Sequence, residues 1–94
     1  MNLNVNFEEL RNLGNQVISK AELFDAYVRD INTSNNEIAT VWSGQDANKY
    51  IGAVNEQAQY MAQLASTIGE IGRYLIKVGN AYEDTSVNNA NSIN

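Results

Sequence analysis

An all-helical fold, an antiparallel two-helix hairpin, is predicted by three observations. The chain holds no proline, its apolar residues recur every seven positions along two long stretches, and Trp42-Ser43-Gly44 separates those stretches near the midpoint. Proline is the strongest helix breaker, so its absence suits long uninterrupted helices. A seven-residue apolar repeat keeps one face of a helix apolar over many turns. Glycine, lacking a Cβ, lets a chain reverse tightly, and the lone tryptophan beside it offers a large ring to cover the end of the hairpin.

The first helix starts at Asn6-Phe7-Glu8-Glu9. Asn6 is a good N-cap, and Glu9 stands at the third helical position, where it answers the cap and meets the positive end of the helix dipole. Leu10, Val17, Phe24, Ile31 and Ile38 then recur at intervals of seven. Leu13 and Tyr27 lie three further on, Ala21 and Val28 widen the stripe, and Lys20 and Ser34 interrupt the secondary seam. Asn32-Thr33-Ser34-Asn35-Asn36 is a weak stretch, because such side chains bond to their own backbone in competition with the helix. Ile38 nevertheless returns in phase with Ile31, which extends the predicted helix over about residues 7–39.

A turn over about residues 40–44 follows. Ser43 reads as the next N-cap, with Asp46 three residues later completing a variant capping box. The second helix is predicted over about residues 45–84. Ala47, Val54, Met61, Ile68, Leu75 and Tyr82 form one row, and Tyr50, Leu64, Ile71 and Val78 a second that only Gln57 interrupts. A third row, Ile51, Ala58, Ala65, Gly72 and Gly79, shrinks toward the carboxyl end. Glycine costs ~1 kcal/mol relative to alanine inside a helix, so this taper predicts the close approach of another helix. The asparagine-rich segment 85–94 is expected to be a flexible tail, and residues 1–94 a single hairpin domain.

The residue inventory excludes much chemistry. With no cysteine and no histidine, disulfide frameworks, the usual zinc sites, thiol nucleophiles and imidazole bases are all unavailable. The neighbouring carboxylates Glu8/Glu9 and Glu83/Asp84 point in different directions on a helix and imply no pocket. Glu8 with Arg11, Asp25 with Arg29, Asp46 with Lys49 and Glu70 with Arg73 read as surface pairs, each contributing about 0.2–0.5 kcal/mol. The sequence thus predicts no catalytic residues, no metal, no cofactor and no enzyme. A net charge of −5 repels phosphate backbones, so nucleic acid is not an expected partner. No apolar run approaches the ~18 residues of a membrane span. Residues 1–6 lack the basic start and apolar run of a secretory leader, so export, if it occurs, is expected without a classical signal peptide.

Two helices side by side cover only part of stripes that are two to three positions wide. A second hairpin completes four helices, and the sustained heptad spacing favours a shallow crossing near about +20°, hence an elongated antiparallel four-helix bundle dimer. The residues predicted to pack the helices and the dimer are Leu10, Leu13, Val17, Phe24, Ile31 and Ile38 on the first arm. On the second they are Val54, Met61, Leu64, Ile68, Ile71, Leu75 and Val78. Whether the second chain is identical is not written in the pattern, two-fold pairing being the commonest solution.

The central Trp42 and Gly44 between two heptad-patterned arms, in an acidic chain without proline or cysteine, resemble the WXG family of ESAT-like helical hairpins exported by type VII (ESX) secretion. The resemblance covers nearly the whole chain. It implies a secreted, virulence-associated protein of Gram-positive bacteria, cytoplasmic before export. Its implied partners are a second copy, a WXG-like chain or a toxin, together with the type VII secretion ATPase. It also implies that the W-x-G elbow of one subunit and the tail of its neighbour form a composite export signal. That tail signal is a tyrosine followed four residues later by Asp or Glu. Here Tyr82-Glu83-Asp84-Thr85-Ser86 stands in its place with Ser86 where the acid belongs, and four residues after Tyr27, Tyr50, Tyr60 and Tyr74 come Ile31, Val54, Leu64 and Val78. Either Glu83 or Asp84 serves instead, or a partner chain brings the complete signal. The leading reading is a dimeric export substrate. An adaptor that escorts a larger type VII toxin, or a cytosolic structural helical module, is the alternative.

Overall fold

The computed structural model describes residues 5–93, with side chains described through residue 86. It folds them into two long helices, α1 (Phe7–Val41) and α2 (Gln45–Ile93), with no strand among the described residues. The helices form the predicted hairpin. α1 starts as the sequence predicts: the Glu9 amide donates to Asn6 Oδ1 at 3.0 Å, and Leu10 N–H reaches the Asn6 carbonyl at 3.0 Å. The polar stretch 32–36 does not break it, and α1 runs two residues past the expected end, to Val41.

At the elbow the cap differs from the predicted one. Gly44 has φ +112°, and its carbonyl accepts the first intrahelical bond of α2 from Asn48 N–H at 3.0 Å. The cap is therefore Gly44, and the Ser43–Asp46 capping pair does not form. A residue at φ +112° supplies the helix start through its backbone alone, which only glycine does without strain.

α2 also continues past residue 84, where the sequence predicts its end, and reaches Ile93. No proline or glycine lies between 85 and 93 to stop it. Asparagine and serine lower helix propensity by less than ~1 kcal/mol each, which weakens a helix without terminating it. The Thr85 hydroxyl donates to the Ala81 carbonyl at 3.0 Å, in keeping with continued helix. Asn94, the last residue of the expected tail, lies outside the described residues.

The backbone divides into two units: a terminal unit of Met1–Lys20 with Ile68–Asn94, and an elbow unit of Ala21–Thr67. In the terminal unit the helices meet at glycine. An ideal Cβ on Gly14 would lie 2.7 Å from the Gly72 carbonyl oxygen, and one on Gly72 would lie 2.7 Å from the Gly14 carbonyl oxygen. The two backbones touch, which any side chain would prevent. In the elbow unit the buried seam is Ala21, Val28 and Asn35 of α1 with Ala47, Ala58 and Ala65 of α2. The shrinking third row of α2 is thus the row that meets α1, as its small residues predicted.

Candidate functional site

A seam of glycine and alanine has a direct consequence for the large side chains. Each buried methyl contributes only ~0.8 kcal/mol, so the apolar surface that could stabilise a larger assembly lies elsewhere. On a helix with 3.6 residues per turn, the position four before a seam residue sits about 40° to one side of it, and the position one before sits about 100° to that same side. When two helices run antiparallel, these positions fall on one common flank of the pair.

In the terminal unit that flank carries Leu10, Leu13 and Val17 of α1 and Ile68, Ile71, Leu75, Val78 and Tyr82 of α2. In the elbow unit it carries Phe24, Tyr27, Ile31 and Ile38 of α1 and Tyr50, Val54, Met61 and Leu64 of α2. Leu10, Val17, Phe24, Ile31, Ile38, Val54, Met61, Ile68, Leu75 and Val78 are half-buried, while Leu13, Leu64 and Ile71 are exposed. Every residue expected to form the packing interface therefore stands beside the seam rather than in it, and none is fully covered. The opposite flank is more polar. Asn32, Asn55 and Gln59 line a shallow cavity there with Val28, Ala58 and Ala62 in the elbow unit.

Asn35 is the buried polar residue of the seam, 3% exposed. Its Nδ2 donates to Asn55 Oδ1 at 2.9 Å and to the Ile51 carbonyl at 3.3 Å, so α1 and α2 are hydrogen-bonded through the middle of the elbow unit. Asn35 occupies the same seven-residue row as Ala21 and Val28, a register that its polar side chain masks from a reading of apolar periodicity.

At the elbow, Trp42 is 44% exposed and lies against Tyr50, with ring centroids 5.7 Å apart and planes tilted by 47°. Val41 beside it is 85% exposed. The turn thus displays an aromatic pair on an unhindered backbone, since nothing lies within 4 Å of the place where a Cβ on Gly44 would stand.

At the other end, Tyr82, Glu83 and Asp84 are consecutive but differently engaged. Tyr82 lines a groove with Val5, Asn6, Glu9, Leu10 and Leu13. Glu83 is ion-paired with Arg11, whose guanidinium also donates to Asn80 Oδ1 at 3.1 Å and lies 5.4 Å from the centroid of the Phe7 ring. Asp84 is exposed. Among the described residues Arg11–Glu83 is the ion pair formed; the pairs expected at Glu8–Arg11, Asp25–Arg29, Asp46–Lys49 and Glu70–Arg73 do not close. Arg11 finds a better partner across the hairpin, where both groups are partly shielded from water, than along its own exposed helix face.

No described helix is long and apolar enough to cross a membrane, and no cluster of three acidic side chains suited to a metal ion occurs among the described residues. No curated protein and no solved structure matches the chain. A family model described as proteins of 100 residues with WXG matches residues 2–86, a span that includes both arms and the elbow. Proteins of that family are small, secreted, non-enzymatic helical proteins that pair with themselves or with partners. With Trp42 and Gly44 at the reversal between two long helices, and the family match running through them, this chain belongs to the WXG100 family.

Proposed function

We propose that this protein is a non-enzymatic substrate of a type VII (ESX) secretion system, exported as a dimer of hairpins. The observation that carries this reading is the apolar flank of each unit. A seam made mostly of glycine and alanine, with Val28 and Asn35, joins α1 to α2, while the large apolar side chains of the flank remain half-covered or bare. A contiguous apolar flank of this kind suits a second hairpin packed against it. The exposed Trp42–Tyr50 pair at the elbow supplies one part of the export signal, and Tyr82 with a neighbouring carboxylate supplies the other.

The test compares the native secreting cell with a strain lacking the type VII ATPase. The protein is expected in the medium of the first and retained in the second; equal release from both strains defeats the reading. Trp42→Ala is expected to reduce release more than it lowers the melting temperature. Equal loss of release and stability would make the indole a packing residue only. Whatever co-purifies from the cell decides between a second copy and a larger escorted toxin.

A further inference from the structure

The elbow unit is covered unevenly, and the change comes at Asn35. Between Asn35 and Ile51 the chain buries little: Ile38 is half-buried, Ala47 is 0% exposed, and every other residue of 36–50 is exposed. The aromatic pair Trp42–Tyr50 lies within this stretch. Few covered apolar groups and a solvated backbone mark a segment that opens by itself, at a lower free energy than the whole fold.

Asn35 closes that segment at its base. Its Nδ2 donates to the Ile51 carbonyl at 3.3 Å and to Asn55 Oδ1 at 2.9 Å, so one buried amide ties the two arms together where the covered seam ends. Both arms are weak beside this tie. On α1 it sits within Asn32-Thr33-Ser34-Asn35-Asn36, whose side chains compete with the helix. On α2 it adjoins Gly52, and glycine is the poorest helix former after proline. Unlike Gly72, Gly52 has nothing within 4 Å of where its Cβ would stand, so no close approach accounts for it.

We propose that residues 36–50 form a tip that opens as one unit, hinged at 32–36 and at Gly52 and latched by Asn35. Opening breaks the bonds of a single amide, uncovers Ala47 and parts Trp42 from Tyr50. The use of the device rests on the reading of the elbow as part of an export signal. The closed tip holds the indole against Tyr50, and the open tip frees it for the secretion machinery.

The chain has no cysteine, so one introduced thiol reports opening without background. Ala47→Cys places it in the tip and Ala65→Cys, at a site 1% exposed, places it in the seam below the latch. The rate at which Ellman's reagent labels each purified protein measures how often that site opens. Ala47→Cys is expected to label roughly tenfold faster than Ala65→Cys, and with a weaker dependence on urea, because tip opening exposes little surface. Adding Asn35→Ala is expected to speed labelling in the tip roughly fivefold, the effect of losing its hydrogen bonds. Adding Gly52→Ala, which strengthens α2 and so retains folding, is expected to slow it by roughly the same factor. Val28→Ala, in the seam below the latch, is expected to speed labelling of Ala65→Cys and leave that of Ala47→Cys unchanged.

Equal rates and equal urea dependence at the two thiols overturn the proposal, since the tip then opens only with the whole fold. So does an Asn35→Ala protein whose tip labels no faster, or a Val28→Ala protein whose tip labels as fast as that of Asn35→Ala. Unchanged tip labelling in Gly52→Ala removes the hinge on α2 and overturns it too. Release that persists without the ATPase defeats the reading of the elbow as an export signal, while the thiol rates, measured on purified protein, decide the tip itself.

Discussion

Gly44 and Gly52 are both exposed and both have open space where a Cβ would stand, yet alanine is expected to act in opposite directions at the two. Gly44 sits at φ +112°, so Gly44→Ala forces a side chain into a backbone conformation it resists and is expected to cost about 1–3 kcal/mol. Gly52 lies in ordinary helix, where Gly52→Ala removes backbone entropy from the unfolded chain and is expected to stabilise by about 1 kcal/mol. Gly72 is a third case. A Cβ there would lie 2.7 Å from the Gly14 carbonyl oxygen, which cannot retreat without moving α1, and Gly72→Ala is expected to destabilise by about 1–3 kcal/mol. Chemical denaturation of the three variants checks all of this. A stabilising Gly72→Ala would mean that the helices do not meet backbone to backbone at that point.

At the scale of the element, Asn35 accounts for the continuity of α1 through its least helical stretch. Removing it deletes the bond to Asn55 Oδ1 and the additional one to the Ile51 carbonyl, which keeps its place in the α2 ladder, so Asn35→Ala is expected to cost about 1 kcal/mol and to speed amide hydrogen exchange in α1 from residue 32 onward. Unchanged exchange there would show that packing alone holds the segment. The sequence made α1 legible by its period and its cap, and made the approach of a second helix legible by the taper Ala58, Ala65, Gly72, Gly79. It did not reveal Asn35 as a seam residue, because asparagine reads locally as a helix competitor; its partners are 16 and 20 residues away. For the same reason it paired Arg11 with Glu8 rather than Glu83, 72 residues on. The elbow was legible at Trp42 and Gly44, whereas the groove that Tyr82 lines with Leu10 and Leu13 depends on how two distant segments meet and has no local signature.

For the whole molecule, the apolar flank of each unit leads to an expectation about association. Stability supplied by a second hairpin depends on protein concentration, so the melting temperature is expected to rise as the chain is concentrated, and sedimentation at micromolar concentration to show a dimer. The two flanks provide an internal control. Met61→Asp places a carboxylate on the apolar flank that also carries Val54, Leu64 and Ile31, whereas Gln59→Asp places the same group on the polar flank, in the cavity lined by Asn32 and Asn55. Burying a polar group without a partner costs about 1–3 kcal/mol, so Met61→Asp is expected to weaken association by roughly tenfold or more, while Gln59→Asp leaves it within a factor of about two. Helix content by circular dichroism is expected to match in the two variants at concentrations where both are assembled. Equal association of Met61→Asp and Gln59→Asp would mean that the apolar flank meets no second chain. A melting temperature independent of concentration in the wild type would place the source of stability inside one hairpin, despite its seam of alanine and glycine.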